Sequence, residues 1–508
     1  MLRNQSNILK MALFATGLSG IVAEYVLATL ATYFLGDSVF QWTIVVSLMM
    51  FAMGLGSRFS RQMSDRLLEK FIYTEFALSF VVSFSPGLVY FSSAFIPNLS
   101  FLIYFLTIVV GFLIGMEIPL VIRINDQFET LRTNISSAME NDYYGSLLGG
   151  LFFAFIGLPF LGITYTPFLL GAVNLSVALL LIMSFAGHQL PRHISYMGLG
   201  IMAVIFVGAF TAPQVVLFGE QAKYRDKIIF SQQSQYQKVI ISEWKGSYWL
   251  YINGNLRFCS LDEAMCHEPL VHPAMSLHPH PQKVFVFGGG DGCAVREILK
   301  YPSVDSITLV DLDPLMTDLG KENSILTAIN DSSFHSPKVK IINQDAFKFV
   351  ESSMQFADVI VIDLPDPKVH ELSRLYSKEF YMLCMRMLRP HGIIVTQSGS
   401  PYFATKAFIC IERTMQAAGL ATVPIHNQVL TMGEWGWTIG SRDRISKESV
   451  QNVKLNVPTR WLDHDALQLI TSFGKGYYVG ADTADVQINT VHAPFLQKYY
   501  LEGNWSFY

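Results

Sequence analysis

Long apolar runs occupy the first 217 residues of the chain, and short polar segments separate them. Each run approaches the roughly 20 apolar residues that an α-helix needs to cross a bilayer. The pattern predicts seven membrane-spanning helices, at residues 11–36, 40–57, 72–96, 100–122, 144–162, 165–187 and 195–217. The first run is too long for a signal peptide and no small-residue cleavage site follows it, so we expect it to remain as a membrane helix.

Small and acidic residues within these runs bear on packing and function. Glycine and proline recur in them, and small residues let membrane helices approach closely. Glu24 and Glu117 lie at membrane depth. A carboxylate there is costly and often functional. Two interpretations remain open for this pair, structural hydrogen bonding between helices and a site for a cationic solute.

Positive charge in alternate loops indicates which side of the membrane each loop occupies. These basic residues are Arg3, Lys10, Arg58, Arg61, Arg66, Lys70, Arg123, Arg132 and Arg192. They place the N-terminus in the cytoplasm, so seven crossings would place the second half outside. Lys223, Arg225 and Lys227 argue locally for the inside. We expect a multi-pass protein of the cell (inner) membrane, with the lipid bilayer as a partner and a cytoplasmic second half.

The five cysteines are consistent with a reducing compartment. They all lie in the second half, at Cys259, Cys266, Cys293, Cys384 and Cys410. Their number is odd and no CxxC pair occurs, which argues against a disulfide framework and against a zinc site. The net charge of −4 comes with no basic stripe, so nucleic acid is not expected as a partner.

The period of the pattern changes twice in the second half. Residues 236–263 alternate and are broken by turn residues, which predicts hairpin strands in a small β unit at 221–280. After residue 280, strands are predicted at 284–290, 306–313, 339–345, 357–367 and 392–398, with helices between them. Alternating strands and helices predict a parallel, doubly wound sheet.

Glycines and acids follow four of these strands. They are Gly288, Gly289, Gly290 and Asp291, then Asp311 and Asp313, then Asp345, then Asp363 and Asp366. In such sheets ligands bind at the carboxyl ends of the strands. Asp311 follows Asp291 by 20 positions, the spacing of a ribose-hydroxyl acceptor. Because the turn is not G-x-G-x-x-G, we predict a nucleoside without a pyrophosphate, as in S-adenosylmethionine-type molecules.

An acid inside a glycine turn indicates a ligand that carries positive charge. Several carboxylates at neighbouring strand ends would repel one another, and a nearby cation favours their ionised form. Solvated loop acids are the alternative explanation.

Three motifs resemble the spermidine synthase family, the polyamine aminopropyltransferases. They are GGGDG at 288–292, DEAxxHE at 262–268, and DLPDP at 363–367 with SRLYSKEFY after it. The resemblance covers roughly residues 230–440, and with the apolar runs the chain looks like the membrane-bound, multi-span subgroup. It implies a helical multi-span membrane domain (1–218), a small β-hairpin unit (221–280), an α/β Rossmann-like domain of the S-adenosylmethionine-methyltransferase type (281–445) and a C-terminal extension (446–508).

The resemblance also implies a reaction. Decarboxylated S-adenosylmethionine is the co-substrate, a diamine such as putrescine is the acceptor, and spermidine and 5′-methylthioadenosine are the products. No permanently bound cofactor and no metal are expected. The protein is expected to form a homo-oligomer. The family pattern also implies a role for individual residues. On the donor side, Gln237 contacts the nucleoside, Gly288–Gly290 and Asp311 hold the donor, and Asp345 and Ala346 lie by the adenine. On the acceptor side, His267 and Asp291 face the polyamine, Asp363 accepts the proton and Asp366 holds the amine.

Several positions depart from the family pattern. Cys266 replaces a frequent tyrosine, Asp311 replaces a usual glutamate, and Cys293 follows the glycine turn. Residues 368–370 replace a glycine–proline stretch. GEWGW at 433–437 stands where a late aromatic lines the diamine site, so Glu434 and Trp435 are expected to shape the acceptor pocket.

Two other functions are compatible with the sequence. One is a methyltransferase that uses intact S-adenosylmethionine, which shares the fold. The acids at 291, 363 and 366 argue against it, because they would repel the carboxylate of that donor. The other is a polyamine transporter or sensor that binds ligand without turnover. Glu24 and Glu117 favour it, whereas the retained Asp363 argues against it.

Overall fold

The computed structural model describes residues 2–36, 38–96, 98–185, 190–474 and 485–505. The chain forms two compact units, Met1–Lys227 and Ile228–Tyr508. The last two residues of the predicted span 165–187 and parts of the predicted C-terminal extension lie outside the described residues. The boundaries predicted within the second unit, near 281 and 446, stay predictions.

The first unit is entirely helical in its described residues. Its helices are α1 (Leu2–Leu35), α2 (Ser38–Ser60), α3 (Leu67–Ser93), α4 (Ser100–Asn125), α5 (Leu131–Phe152), a π-helical segment (Phe153–Leu161), α6 (Gly162–Ser184) and α7 (Arg192–Lys223). Six helical stretches in the described part of the chain are long and apolar enough to cross a membrane.

One of the six stretches is much longer than a single crossing requires. Leu131–Ser184 spans 54 residues, and a straight helix of that length would extend about 80 Å, against a hydrocarbon core of about 30 Å. Gly162 interrupts it with a φ of 61°, which breaks the regular helix between the π segment and α6. The predicted number of seven crossings therefore stays a prediction, since this stretch is long enough to cross twice.

Glycines set the close contacts between helices, as the sequence predicts. A Cβ atom added to Gly56 of α2 would lie 2.0 Å from the Phe112 carbonyl oxygen of α4, and one added to Gly115 would lie 2.1 Å from the Met53 carbonyl oxygen. Gly145 of α5 has the same relation to Phe14 of α1, at 2.0 Å. Any larger residue would push these helix pairs apart.

Glu24, Glu75 and Glu117 are three of the acids in the helical unit. Glu117 is 2% exposed, Glu24 is partly exposed, and Glu75 on α3, which sequence reasoning did not single out, is fully buried. Both carboxyl oxygens of Glu75 and one of Glu117 lack a hydrogen-bond partner among the described residues. Hydrogen bonding between helices and a site for a cationic solute both stay predictions for Glu24 and Glu117.

The second unit begins with a four-stranded sheet in the order β1-β2-β3-β4. Its strands are β1 (Lys227–Gln233), β2 (Lys238–Trp244), β3 (Ser247–Ile252) and β4 (Asn255–Cys259). The pairs β2–β3 and β3–β4 are antiparallel, as the alternating pattern predicts. Strand β1 was not predicted.

A seven-stranded sheet follows, in the order β10-β11-β9-β8-β5-β6-β7. Its strands are β5 (Lys283–Gly288), β6 (Ser306–Asp311), β7 (Val339–Asn343), β8 (Ala357–Asp363), β9 (Leu388–Gly399), β10 (Ala421–Val429) and β11 (Gly433–Ser441). Strands β5 to β9 are parallel, which confirms the predicted doubly wound sheet. The antiparallel pair β10–β11 extends it at one edge.

Helices cover this sheet. They are α8 (Ala264–Leu277), α9 (Cys293–Leu299), α10 (Pro314–Glu322), α11 (Ser324–Ile329), α12 (Ala346–Ser352), α13 (His370–Ser373), α14 (Lys378–Met387), α15 (Thr405–Ala417), α16 (Lys447–Gln451), α17 (His464–Ile470) and α18 (Phe495–Leu501). Two apolar clusters form the core, one on each side of the sheet, and they contain alternate residues of the strands, such as Val284 and Val286 in one and Phe285 and Phe287 in the other. The order of strands reverses between β5 and β8, where such sheets bind ligands.

Candidate active site

The glycine turn lies at the point where the strand order reverses. Gly288 and Gly289 have φ values of 79° and 68°, which residues with a side chain rarely adopt. A Cβ atom on Gly288 would lie 2.3 Å from the carbonyl oxygen of Asp363. The amide of Gly289 donates to that same oxygen at 3.1 Å. The glycines therefore let the ends of β5 and β8 meet.

Three of the predicted site residues converge next to this turn. Polar atoms of His267, Asp291 and Asp363 all lie within 4.8 Å of one another, and all three residues are about 3% exposed. His267 reaches the cluster from α8, while the acids follow β5 and β8. The tertiary fold therefore unites residues that are up to 96 positions apart in the sequence.

One carboxylate oxygen of Asp363 has no hydrogen-bond partner in the described part of the chain. Its Oδ2 is buried and lacks a hydrogen bond to any residue that the structure describes. Its Oδ1 forms an ion pair with Arg257. A buried oxygen without a donor is costly, and such atoms in native structures call for an explanation, often a functional one. An amine nitrogen beside Oδ2 would supply the missing donor.

Arg257 brings a positive charge into this acidic cluster from β4. Its guanidinium donates to the Asp363 carboxylate and backbone, donates to Gln397 Oε1 at 2.7 Å, and lies 4.0 Å from Asp291 Oδ2. Burial disfavours its charge, but the carboxylates of Asp363 and Asp291 outweigh that cost and raise the pKa of Arg257. These acids do not depend on a ligand alone for a compensating charge, because the chain supplies one cation itself.

Asp366 is held by groups from distant parts of the chain. Its Oδ1 accepts a hydrogen bond from Gln397 Nε2 at 2.9 Å, and its Oδ2 accepts one from the Tyr500 hydroxyl at 2.6 Å. Gln397 therefore bridges Arg257 and Asp366. Tyr500 belongs to α18, so the C-terminal segment takes part in building the site.

Asp311 lies on the other side of the glycine turn. Its Oδ2 accepts from the Gly290 amide at 3.2 Å, and its Oδ1 accepts from the Asp313 amide at 2.9 Å. Burial raises the pKa of Asp311 to about 6. A Cβ atom on Gly290 would lie 2.8 Å from Asp311 Oδ2, so a larger residue at this position would crowd the carboxylate.

Gln237 and Asp313 belong to the same side as Asp311. Asp313 caps α10 by accepting from the Leu315 amide, and it also accepts from the Ser234 hydroxyl at 2.8 Å. Ser234 in turn binds the backbone of Gln237. The loop that carries Gln237 is thus tied to the end of β6, beside the predicted ribose position and apart from the Asp363 cluster.

Asp345 and Ala346 begin α12. Asp345 caps that helix by accepting from the Phe347 amide at 2.8 Å, and its second oxygen pairs with Arg374. Ala346 is 5% exposed. The carboxylate of Asp345 is used by the protein itself, so a nucleoside in this region would meet the backbone and the small side chain of Ala346.

The acids of the DEAxxHE motif have structural partners. Glu263 binds the guanidinium of Arg296 with both oxygens, at 3.0 and 2.8 Å, and holds Nδ1 of His267 at 3.0 Å. Glu268 accepts from three backbone amides of residues 460–462. Of this motif, His267 alone joins the acidic cluster described above, and burial lowers its pKa. Its Nδ1 is taken by Glu263, so a ligand would meet Nε2.

Among the described residues, three groups of side chains have donor atoms close enough for a metal ion. They are Glu263–His267–Cys293, His267–Asp291–Asp363 and Glu268–His272–Glu297. The chain's own donors already occupy each group: Arg296 binds Glu263 and Glu297, Arg257 binds Asp363, and backbone amides bind Glu268. These carboxylates therefore match the protein's own cations and amides better than a metal.

A small cavity adjoins the cluster. It measures about 10 Å³ and is lined by Arg257, Cys266, His267, Leu270, Asp363, Gln397, Met432, Trp435 and Trp437. That volume is about the space of one water molecule. Trp435 lines this cavity, whereas Glu434 is hydrogen-bonded to His426 on β10. That either residue shapes an acceptor pocket stays a prediction. Burial raises the pKa of the Cys266 thiol, which disfavours the thiolate that a nucleophilic cysteine needs.

Comparison with known proteins places the chain in a family. Residues 263–452 match the spermine/spermidine synthase domain. Polyamine aminopropyltransferase 2 of Aquifex aeolicus is 39% identical over 496 residues, which cover 97% of this chain and 98% of the relative. The polyamine aminopropyltransferase of Oceanobacillus iheyensis is 36% identical over 509 residues, which cover 99% and 98%.

The chain belongs to the polyamine aminopropyltransferase family. It is accordingly a transferase, and the resemblance in its motifs is confirmed. A crystal structure of spermidine synthase from Thermotoga maritima is 26% identical, with a TM-score of 0.45, and the match covers 50% of this chain and 86% of that one. The sequence similarity between this chain and these two aminopropyltransferases covers nearly the whole chain. It therefore includes the helical unit as well as the second unit.

Sequence reasoning missed three residues of this aminopropyltransferase site. Gln397 lies near the carboxyl end of β9, and the rule that selected the acids would have found it. Arg257 lies on β4. The alternating pattern predicts this strand, but it does not predict where the strand lies relative to the large sheet. Tyr500 is 134 positions from Asp366, and the sequence carries no signal that joins them.

Proposed function

We propose that this chain transfers the aminopropyl group of decarboxylated S-adenosylmethionine to a primary amine, with Asp363 as the proton acceptor. The unpartnered, buried Oδ2 of Asp363 carries the proposal. It lies beside His267 and Asp291, at the point of the sheet where ligands bind.

The reaction is a displacement at carbon. The lone pair of the amine forms a bond to the aminopropyl carbon attached to sulfur. The carbon–sulfur bond breaks, and its electrons neutralise the sulfonium to give 5′-methylthioadenosine. The attacking nitrogen loses a proton to Asp363 Oδ2. A positioned base of this kind contributes roughly 10²–10⁴ in rate.

The donor fits the side of the site formed by the glycine turn and β6. The ribose hydroxyls would bind Asp311, whose approach Gly290 keeps open. The backbone of Gly288–Gly290 would lie against the nucleoside, with Gln237 and Ala346 near it. The carboxylate of Asp345 is paired with Arg374. Asp345 would therefore contribute to the nucleoside site through its place at the start of α12.

The acceptor side contains His267, Asp291 and Asp366. The predicted acceptor is a diamine such as putrescine, which would give spermidine. That prediction rests on the family resemblance, and the negative charge of these acids agrees with it, although Arg257 compensates part of this charge. The acceptor therefore has to be identified by experiment.

A product assay tests the proposed reaction. The full-length protein in detergent is supplied with decarboxylated S-adenosylmethionine and a panel of primary amines, and products are identified by mass. We expect methylthioadenosine together with an aminopropylated amine. Intact S-adenosylmethionine is the matched control, and it should give no product. A methylated product from the intact donor would favour a methyltransferase, and ligand binding without any turnover would favour a sensor.

The location of the protein is proposed as the inner membrane, with the catalytic unit in the cytoplasm. The apolar stretches of the helical unit support the membrane, and Lys223, Arg225 and Lys227 support the side. A topology reporter fused after Tyr508 should be active in its cytoplasmic form. Activity of a periplasmic reporter would overturn this assignment.

A homo-oligomer stays a prediction, which the mass of the purified protein in detergent would decide.

A further inference from the structure

The two acids of DLPDP are held by donors that differ in charge. Asp363 forms an ion pair with Arg257. Asp366 accepts hydrogen bonds from two neutral donors, the side-chain amide of Gln397 at 2.9 Å and the hydroxyl of Tyr500 at 2.6 Å. A neutral donor fixes the direction of a carboxylate and adds no positive charge to it. The negative charge of Asp366 is therefore available to a ligand, whereas Arg257 compensates that of Asp363.

Asp366 is also open to a ligand. Its side chain is partly exposed, whereas the Tyr500 side chain that binds it is 2% exposed. A carboxylate can accept about four hydrogen bonds, so the two bonds from the protein leave acceptor sites for an ammonium group. Hydrogen bonds between an ammonium and a carboxylate are among the stronger ones in proteins.

The C-terminal segment, residues 485–505, holds the loop that follows β8. Gln497 Nε2 donates to the carbonyl oxygen of Lys368 at 3.2 Å. Asn489 is fully buried, and its Nδ2 donates to the carbonyl oxygen of Ser373 at 2.7 Å. The segment therefore binds this loop at two places besides the contact with Asp366.

Tyr500 itself is fixed in place and lies beside a cation. Its carbonyl oxygen accepts from Trp505 Nε1 at 2.7 Å, and the ammonium of Lys368 lies 5.6 Å from the centre of its ring. Burial lowers the pKa of Lys368, and the charge of Asp366 opposes this shift. Without the Tyr500 hydroxyl, the carboxylate would lose one of its two donors and would be free to turn toward the Lys368 ammonium, which would compensate its charge.

We propose that Tyr500 is a positioning residue for acceptor binding, which directs Asp366 toward an ammonium group of the amine without compensating the carboxylate's charge. The inference rests on the proposed function and gives the C-terminal segment a part in substrate binding. The acceptor that it specifies carries a positive charge at the end that meets Asp366.

Tyr500→Phe tests this role because it removes the hydroxyl and keeps the ring. We expect the KM for putrescine to rise by about tenfold or more, the effect of one hydrogen bond to a charged group, while kcat stays close to the wild-type value. Tyr499→Phe is the matched control on the same helix, because the Tyr499 hydroxyl accepts from the Gln487 amide at 3.2 Å instead. Its KM should equal that of the wild type. An unchanged KM in Tyr500→Phe, or a loss of kcat alone, would contradict the proposal.

A double-mutant cycle separates positioning from a general structural effect. Asp366→Ala removes the carboxylate and should raise the KM for putrescine. Adding Tyr500→Phe should then raise it no further, because the two side chains act through one contact. Effects that multiply in the double variant would show that Tyr500 acts independently of Asp366, and they would overturn the inference.

Failure of the proposed function gives a different result. If no primary amine yields methylthioadenosine, the reaction assignment is wrong, while calorimetry with putrescine still tests the role of Tyr500. Tyr500→Phe should then bind putrescine about tenfold more weakly than the wild type. Equal affinities, or no binding of putrescine to the wild type, would overturn the inference by themselves.

Discussion

Replacing Asp363 with asparagine should lower turnover by about two to four orders of magnitude while the affinity for the donor stays close to that of the wild type. The amide cannot take up a proton from the attacking amine. The donor contacts proposed for Asp311 and the glycine turn lie on the other side of the site and are unaffected. Single-turnover rates and donor calorimetry measure the two quantities separately.

The geometry explains why this effect should be large. Oδ2 of Asp363 is buried and faces no donor in the described part of the chain, whereas both oxygens of Asp366 already accept hydrogen bonds from Gln397 and Tyr500. Of the two acids in DLPDP, Asp363 alone can thus accept a proton without breaking an existing hydrogen bond. Asp366→Asn should change the KM of the acceptor more than kcat.

Asp358→Asn is the matched control for Asp363→Asn. Asp358 lies on the same strand, is 4% exposed and pairs with Arg389, but it binds the amides of Gln282 and Lys283 at the opposite end of β8. Its substitution should lower stability and leave kcat near the wild-type value. Wild-type turnover in Asp363→Asn would refute its assignment as the base, and an equal loss in Asp358→Asn would show a structural effect.

Gly288→Ala should lower both stability and turnover. Its φ of 79° alone costs a residue with a side chain about 1–2 kcal/mol. The added Cβ would lie 2.3 Å from the carbonyl oxygen of Asp363, so β5 and β8 must move apart. A displacement of the catalytic carboxylate by about 1 Å can reduce the rate roughly 10²-fold. The melting temperature of the full-length protein in detergent and kcat measure the two effects.

Gly246→Ala isolates the backbone contribution. Gly246 has the same φ of 79° in the turn between β2 and β3, and a Cβ there would meet no atom within 4 Å. The two variants should therefore share the loss that comes from strain, and Gly288→Ala alone should lose turnover. Equal turnover in both variants would show that the contact between Gly288 and Asp363 does not position the base.

Strand and helix periods allowed much of the fold to be predicted. The five parallel strands of the large sheet follow from short β-rich runs bounded by turn residues, and the hairpins follow from alternation. Strands β1, β10 and β11 were missed. Strands β10 and β11 form an antiparallel pair at the edge of the sheet. They were missed because tertiary pairing defines them and their local sequence pattern is weak. The helical stretches were located correctly, but the number of crossings was not decided because Gly162 interrupts a continuous apolar stretch.

The candidate site divides in the same way. The sequence by itself determined that Asp291, Asp311 and Asp363 gather at one edge of the sheet, because the carboxyl ends of parallel strands share an edge, and it determined the family through the spacing of its motifs. Only the tertiary structure decided which of these acids has an available oxygen. Arg257, Gln397 and Tyr500 arrive from β4, β9 and α18, and long-range packing, which local patterns do not encode, sets their positions. The charge that a ligand meets is the sum over all these elements, so the acceptor preference is a property of the folded chain.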